Sequence, residues 1–134
     1  MKPKILLTVT TVIMTLHALG LFFGASGAAQ MGFGETNPLS PDALNMGQGA
    51  YELAGVVNLF LAVVLISARK FEGEALRSIA KAIAVGWVLM AATVVYHVNT
   101  LIEGQAPPTP AIGIFGVIAA WALYVAFGTK DEVA

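Results

Sequence analysis

Four long apolar stretches run through the chain, at residues 5–24, 47–68, 79–101 and 111–127, with polar breaks between them. At about 1.5 Å of rise per residue, each can cross a hydrocarbon core about 30 Å thick. The last is the shortest, at 17 residues. The pattern predicts an all-α fold: an integral membrane four-helix bundle, up-down-up-down, forming a single transmembrane domain over residues 1–134. The longest stretch outside the spans, 25–46, is predicted to be a folded outer loop. Loops of that length tend to be functional or disordered, and Phe33, Leu39 and Leu44 give this one something to pack with.

Local signals mark where helices begin and end. Ser40-Pro41-Asp42 reads as an N-cap, a proline at the first helical position and an acid in the first turn, so the second helix can begin before the membrane does. Gly73 is placed to end one helix and Glu74 to sit in the first turn of the next. Pro107-Pro108-Thr109-Pro110 forces a stiff turn, with Pro110 positioned to open the fourth helix.

Charge gives the bundle an orientation. All seven Lys and Arg residues fall on one side: Lys2 and Lys4, then Arg69, Lys70, Arg77 and Lys81, then Lys130. The two opposite connections hold Glu35, Asp42 and Glu103 and no basic residue. The positive-inside rule then puts both termini in the cytoplasm. Lys2 and Lys4, the apolar run and Ala25-Ser26-Gly27-Ala28-Ala29 have the outline of a secretory signal. The apolar run of 20 residues is longer than a usual signal core, so it is read as a retained first span.

Composition narrows the function classes. Only 11% of the 134 residues are charged, against about 25% in soluble domains, and mean hydropathy is +0.80. No soluble catalytic domain fits in the remaining length. A net charge of −1 offers no basic face for nucleic acid. With no cysteine, thiolate metal sites, thiol catalysis and disulfides are excluded.

Packing between helices in lipid relies on small residues. Gly113, Gly116 and Ala120 make one stripe in span four, Thr8, Thr11, Thr15 and Ala18 one in span one, and Gly55 and Ala62 one in span two beside Asn58. These are expected to be seams within the bundle or between subunits. Trp87, Trp121 and Tyr124 are expected to be packing or interface aromatics.

Three ionisable side chains fall inside the spans: His17, Glu52 and His97. Such residues are costly in hydrocarbon unless paired or hydrated, and so mark candidate sites. Counting rise from the span ends puts His17 about 18 Å above the basic edge, just past the midplane, and His97 about 27 Å above it. Glu52 lies about 7 Å below the opposite edge, nearly level with His97. A pocket bounded by spans one, two and three would collect them, with Asn58 on the same helix as Glu52 and Tyr51, Tyr96 and Asn99 at its mouth. A Glu–His pair there can hold and pass a proton. His17, Glu52 and His97 together could ligate a divalent metal, and the two histidines a haem. The haem geometry is disfavoured by the difference of about 9 Å in their depths. Equally, each of the three can be a structural polar contact, bonded across helices or hydrated at the interface.

The Gly20-to-Gly24 end of helix one, Asn37-Pro38 in the outer loop and the Gly47…Tyr51-Glu52-Leu53-Ala54-Gly55 opening of helix two resemble the DoxX-like superfamily of small four-span bacterial membrane proteins. The resemblance spans the chain in topology and implies a bacterial inner-membrane location. Some members are small subunits of respiratory or quinone-dependent oxidoreductase complexes, which implies an accessory role; no catalytic residues carry over. Three functions are therefore expected, in this order. The first is an accessory subunit or homo-oligomeric scaffold, with lipid and other membrane chains as partners. The second is a small proton-coupled transporter or channel using Glu52 and His97, and the third a haem- or metal-dependent oxidoreductase using His17, Glu52 and His97.

Overall fold

The computed structural model describes residues 2–33, 38–100 and 110–128. The described residues form four α-helices: α1 (Lys2–Phe33), α2 (Pro41–Ala68), α3 (Gly73–Thr100) and α4 (Pro110–Phe127). All four are long and apolar enough to cross a membrane, marking a multi-pass membrane protein.

In lipid every polar group must find a partner inside the protein, and the side chains of these helices do so locally. The hydroxyls of Thr8, Thr11 and Thr15 donate to the carbonyls of Lys4, Leu7 and Thr11 at 2.7, 2.8 and 2.9 Å. Thr93 and Thr100 likewise donate to carbonyls four residues back. The threonines thus ride in apolar helices without needing a neighbour.

The helix starts follow their sequence signals. Ser40 caps α2, its hydroxyl accepting from the Ala43 N–H at 3.2 Å, with Pro41 next and Asp42 in the first turn. Pro110 opens α4, and Glu74 lies in the first turn of α3. Gly73 does not end α2, which stops at Ala68 with Arg69 as its C-cap. Instead Gly73 takes φ +57° at the entry to α3, a left-handed conformation that favours glycine.

The expected folded loop over 25–46 is largely helix. α1 continues through Ala25–Ala29 to Phe33, and α2 already begins at Pro41. No proline interrupts the chain between Lys4 and Pro38, and Ala25 and Ala29 are buried, so packing carries the helix past the end of the apolar run. At 32 residues, α1 is about 48 Å long and overshoots a bilayer core by several turns. Phe33 and residues 34–37 contribute no described side chain, so the packing role expected of Phe33 lies outside the described residues, as does the Asn37 half of Asn37-Pro38.

The core is concentrated toward the basic end. Leu6 and Leu7 of α1, Ala68 of α2, Leu76, Ala80, Ala84 and Trp87 of α3, and Ala119, Ala122 and Val125 of α4 form one cluster. α1 is the central element: it packs along α2 and also meets α3 and α4, and α3 packs along α4. α2 has an extended interface with α1 alone. Its buried Gly47, Gly55 and Ala62 are therefore covered by α1, whose Ala18, Ala25 and Ala29 are buried at matching helical spacing. Gly55, Ala62 and Ala18 of this seam were legible in the pattern; Gly47, Ala25 and Ala29 were not, the last two lying in what the sequence suggested was a loop. The buried face of α4 was not legible either: Gly113, Gly116 and Ala120 are all exposed, and a Cβ at either glycine would meet nothing within 4 Å. α4 buries the neighbouring Ala119, Ala122 and Val125 face instead.

Candidate functional site

The polar residues inside the helices belong to two groups. One is a buried tie: the Trp87 indole N–H donates to Thr10 Oγ1 at 3.1 Å, joining α3 to α1. Thr10 is the buried polar residue of the core, 3% exposed, and no buried side-chain polar atom among the described residues lacks a partner. Sequence reading treated Trp87 as a packing aromatic and missed this bond. The signal was available, because an indole N–H in hydrocarbon must find an acceptor.

The second group comprises the ionisable residues. Glu52 is half-buried on α2 and accepts from Gln48 Nε2 one turn earlier, at 2.7 Å. Asn58 gives its amide to the Ala54 carbonyl at 2.8 Å, within its own helix. Tyr51 is half-buried beside Glu52. On α3, His97 is half-buried, its ring centroid 5.7 Å from that of the exposed Tyr96. Asn99, placed at the expected mouth, donates to the Val95 carbonyl of its own helix.

His17 is exposed, and its position explains why. It stands seven residues beyond Thr10 on α1, which returns it to within about 20° of the same face. Thr10 is covered by Trp87 of α3; His17, two turns further on, is not. α3 meets α1 at Trp87 and leaves the same face of α1 open above it.

Among the described residues, which include all three ionisable candidates, no group of three or more His, Asp or Glu side chains is gathered closely enough to hold a metal ion. The structure does not bring His17, Glu52 and His97, the expected metal-ligating set, together. The elements that carry them do not converge: Glu52 sits on a helix with no extended interface to α3, and His17 faces outward. No hydrogen bond or ion pair joins Glu52 to either histidine.

No protein-family model matches the chain, and no curated protein or solved structure is detectably similar to it.

Proposed function

We propose that this protein is a structural or binding subunit of a membrane assembly, with His17 and Glu52 at the surface it presents to a second membrane chain. The observation that carries this reading is the exposure of His17 midway along a helix long and apolar enough to span a membrane. Ionisable side chains at that depth face a protein interior or a water-filled cavity, since bare hydrocarbon solvates them poorly. A neighbouring chain seated above the Thr10–Trp87 contact would cover His17 and supply it a hydrogen-bond partner. The exposed apolar flank beside it, including Leu16 and Phe23, would join the same interface. Glu52 fits this role as well: Gln48 occupies one of its acceptor positions, and a carboxylate has about four.

The topology we adopt is up-down-up-down, with both termini in the cytoplasm of a bacterial inner membrane. Three contacts support the alternation: Lys4 near the start of α1 reaches Glu72 beyond the end of α2, Ala18 and Phe22 meet Gly55, and Lys81 early in α3 lies over Phe127 at the end of α4. The one-sided placement of the cations supports the orientation. An accessory role also agrees with the DoxX-like features of helices one and two.

The test is the mass of the protein extracted with its native lipid in polymer-bounded nanodiscs. Assemblies of more than one chain are expected, weakened by His17→Leu. A wild-type protein that runs as a single copy with no companion chain would overturn the proposal. An aqueous path past His17 is the competing reading, because water would shelter an imidazole as a second chain does. It predicts proton flux across liposomes that His17→Leu abolishes.

A further inference from the structure

A separate feature lies at the basic end. The first turns of α1 and the last turns of α4 enclose an open groove of about 170 Å³, lined by Lys2, Ile5, Trp121, Tyr124 and Val125. The lining is apolar except at one end, where Lys2 Nζ sits 5.6 Å above the centre of the Tyr124 ring. The volume is well below the roughly 300–1,000 Å³ of a site that encloses a whole small molecule. It is suited to one stretch of a longer, flexible apolar group whose remainder lies outside.

We propose that this groove holds one anionic phospholipid, with the phosphate at Lys2 and the upper part of an acyl chain along Ile5, Trp121 and Val125. Three observations converge on that occupant. The groove has a cation at one end and an apolar wall at the other, matching the charge order of a lipid. It lies at the end of the helices that carries Lys4, Arg69, Lys70, Arg77 and Lys81, the level at which headgroups meet acyl chains. Basic pockets between helices on that side of a membrane are suited to anionic headgroups. The ring of Tyr124 holds the Lys2 ammonium by its charge alone, leaving the N–H donors for phosphate oxygens. Trp121 and Tyr124 have the amphipathic rings that settle at this level. Free inorganic phosphate fits less well, since it would use one exposed lysine and none of the apolar wall. The inference rests on the proposed topology, with the basic end facing the cytoplasm, and is independent of whether His17 contacts a partner.

Acyl-chain bromination supplies the test, because bromine quenches tryptophan fluorescence on contact. The protein is reconstituted in phosphatidylcholine containing a small fraction of brominated phosphatidylglycerol or, separately, brominated phosphatidylcholine. Subtracting the signal of Trp121→Phe isolates Trp121 from Trp87. Quenching of Trp121 by the anionic lipid should correspond to about five-fold enrichment over its bulk fraction, the effect of one basic residue at an anionic surface. Lys2→Gln should return it to the bulk value, while Lys2→Arg keeps it. Lys70→Gln removes the same charge from the α2–α3 turn and should leave the enrichment in place. Equal quenching by the two lipids would overturn the proposal. So would equal loss in Lys2→Gln and Lys70→Gln, which would mean diffuse attraction to the basic end, or displacement by added inorganic phosphate.

Discussion

Gly55 offers the most direct test of how α1 and α2 hold together. A Cβ at this position would lie 3.0 Å from Phe22 Cδ2 and 3.2 Å from the carbonyl oxygen of Ala18. The Phe22 ring is 42% exposed and can swing away. The Ala18 carbonyl belongs to the α1 backbone and cannot move without the helix. Gly55→Ala therefore demands a shift of a few tenths of an ångström, offset by the roughly 1 kcal/mol by which alanine favours helix over glycine; its net effect should be near zero. Gly55→Leu must force the two helices apart, and overpacking of a closed contact costs about 1–3 kcal/mol. The matched control is Gly86→Leu in α3, where a Cβ meets nothing within 4 Å. Both leucines gain the same helix propensity, so the difference between them isolates the seam. Unfolding by SDS in mixed micelles, followed by helical circular dichroism, should make Gly55→Leu less stable than Gly86→Leu by about 1–3 kcal/mol. Equal stability of the two leucine variants would show that α1 and α2 do not approach closely at Gly55, and the account of the seam would fail.

The Thr10–Trp87 hydrogen bond should show a coupling of about 0.6 to 1.7 kcal/mol in a double-mutant cycle of Thr10→Val and Trp87→Phe; strictly additive losses would remove the bond from the account. Gly73→Ala places a side chain at φ +57° and should destabilise the α2–α3 turn by about 1–2 kcal/mol in the same SDS titration. Glu72 is 83% exposed and Lys4 38%, so Glu72→Gln should leave the SDS midpoint unchanged, and a clear loss would mean the pair is more sheltered than its exposure shows. Because the sequence has no cysteine, single cysteines at Arg77 and Asp42 can be labelled cleanly. They should react with an impermeant maleimide from opposite sides of the membrane, and labelling from one side would overturn the proposed topology.

Much of the fold was legible from the order of the residues. Four apolar runs of spanning length leave the backbone little choice but helix, because hydrocarbon offers its polar groups no other partner. The caps at Ser40 and Pro110 were equally readable, since they depend on one or two side chains acting on their own neighbours. The α1–α2 seam was visible at Gly55 and Ala62 because close approach needs small residues. The same logic failed in α4. Gly113, Gly116 and Ala120 fit the pattern as well as Ala119 and Ala122 do, and in so short and uniformly apolar a helix nothing local says which face turns inward.

The candidate site divides in the same way. Depth is counted from residues at a fixed rise, so sequence alone assigns His17, Glu52 and His97 an expected level along the membrane normal. Whether they meet depends on how far apart the helices stand, and that is set by the packing of all four together. The cluster around Leu6, Trp87 and Ala122 draws α1, α3 and α4 together toward the basic end, where Ala68 at the end of α2 joins it, while the extended interface of α2 is with α1. The face of α1 that buries Thr10 is therefore open at His17, and three residues suited to one metal remain apart. Sequence determined which segments are long and apolar enough to enter a membrane, because the bilayer acts on each segment separately. Tertiary structure decided which of them are neighbours, because lateral distance between helices is a property of the whole assembly of side chains.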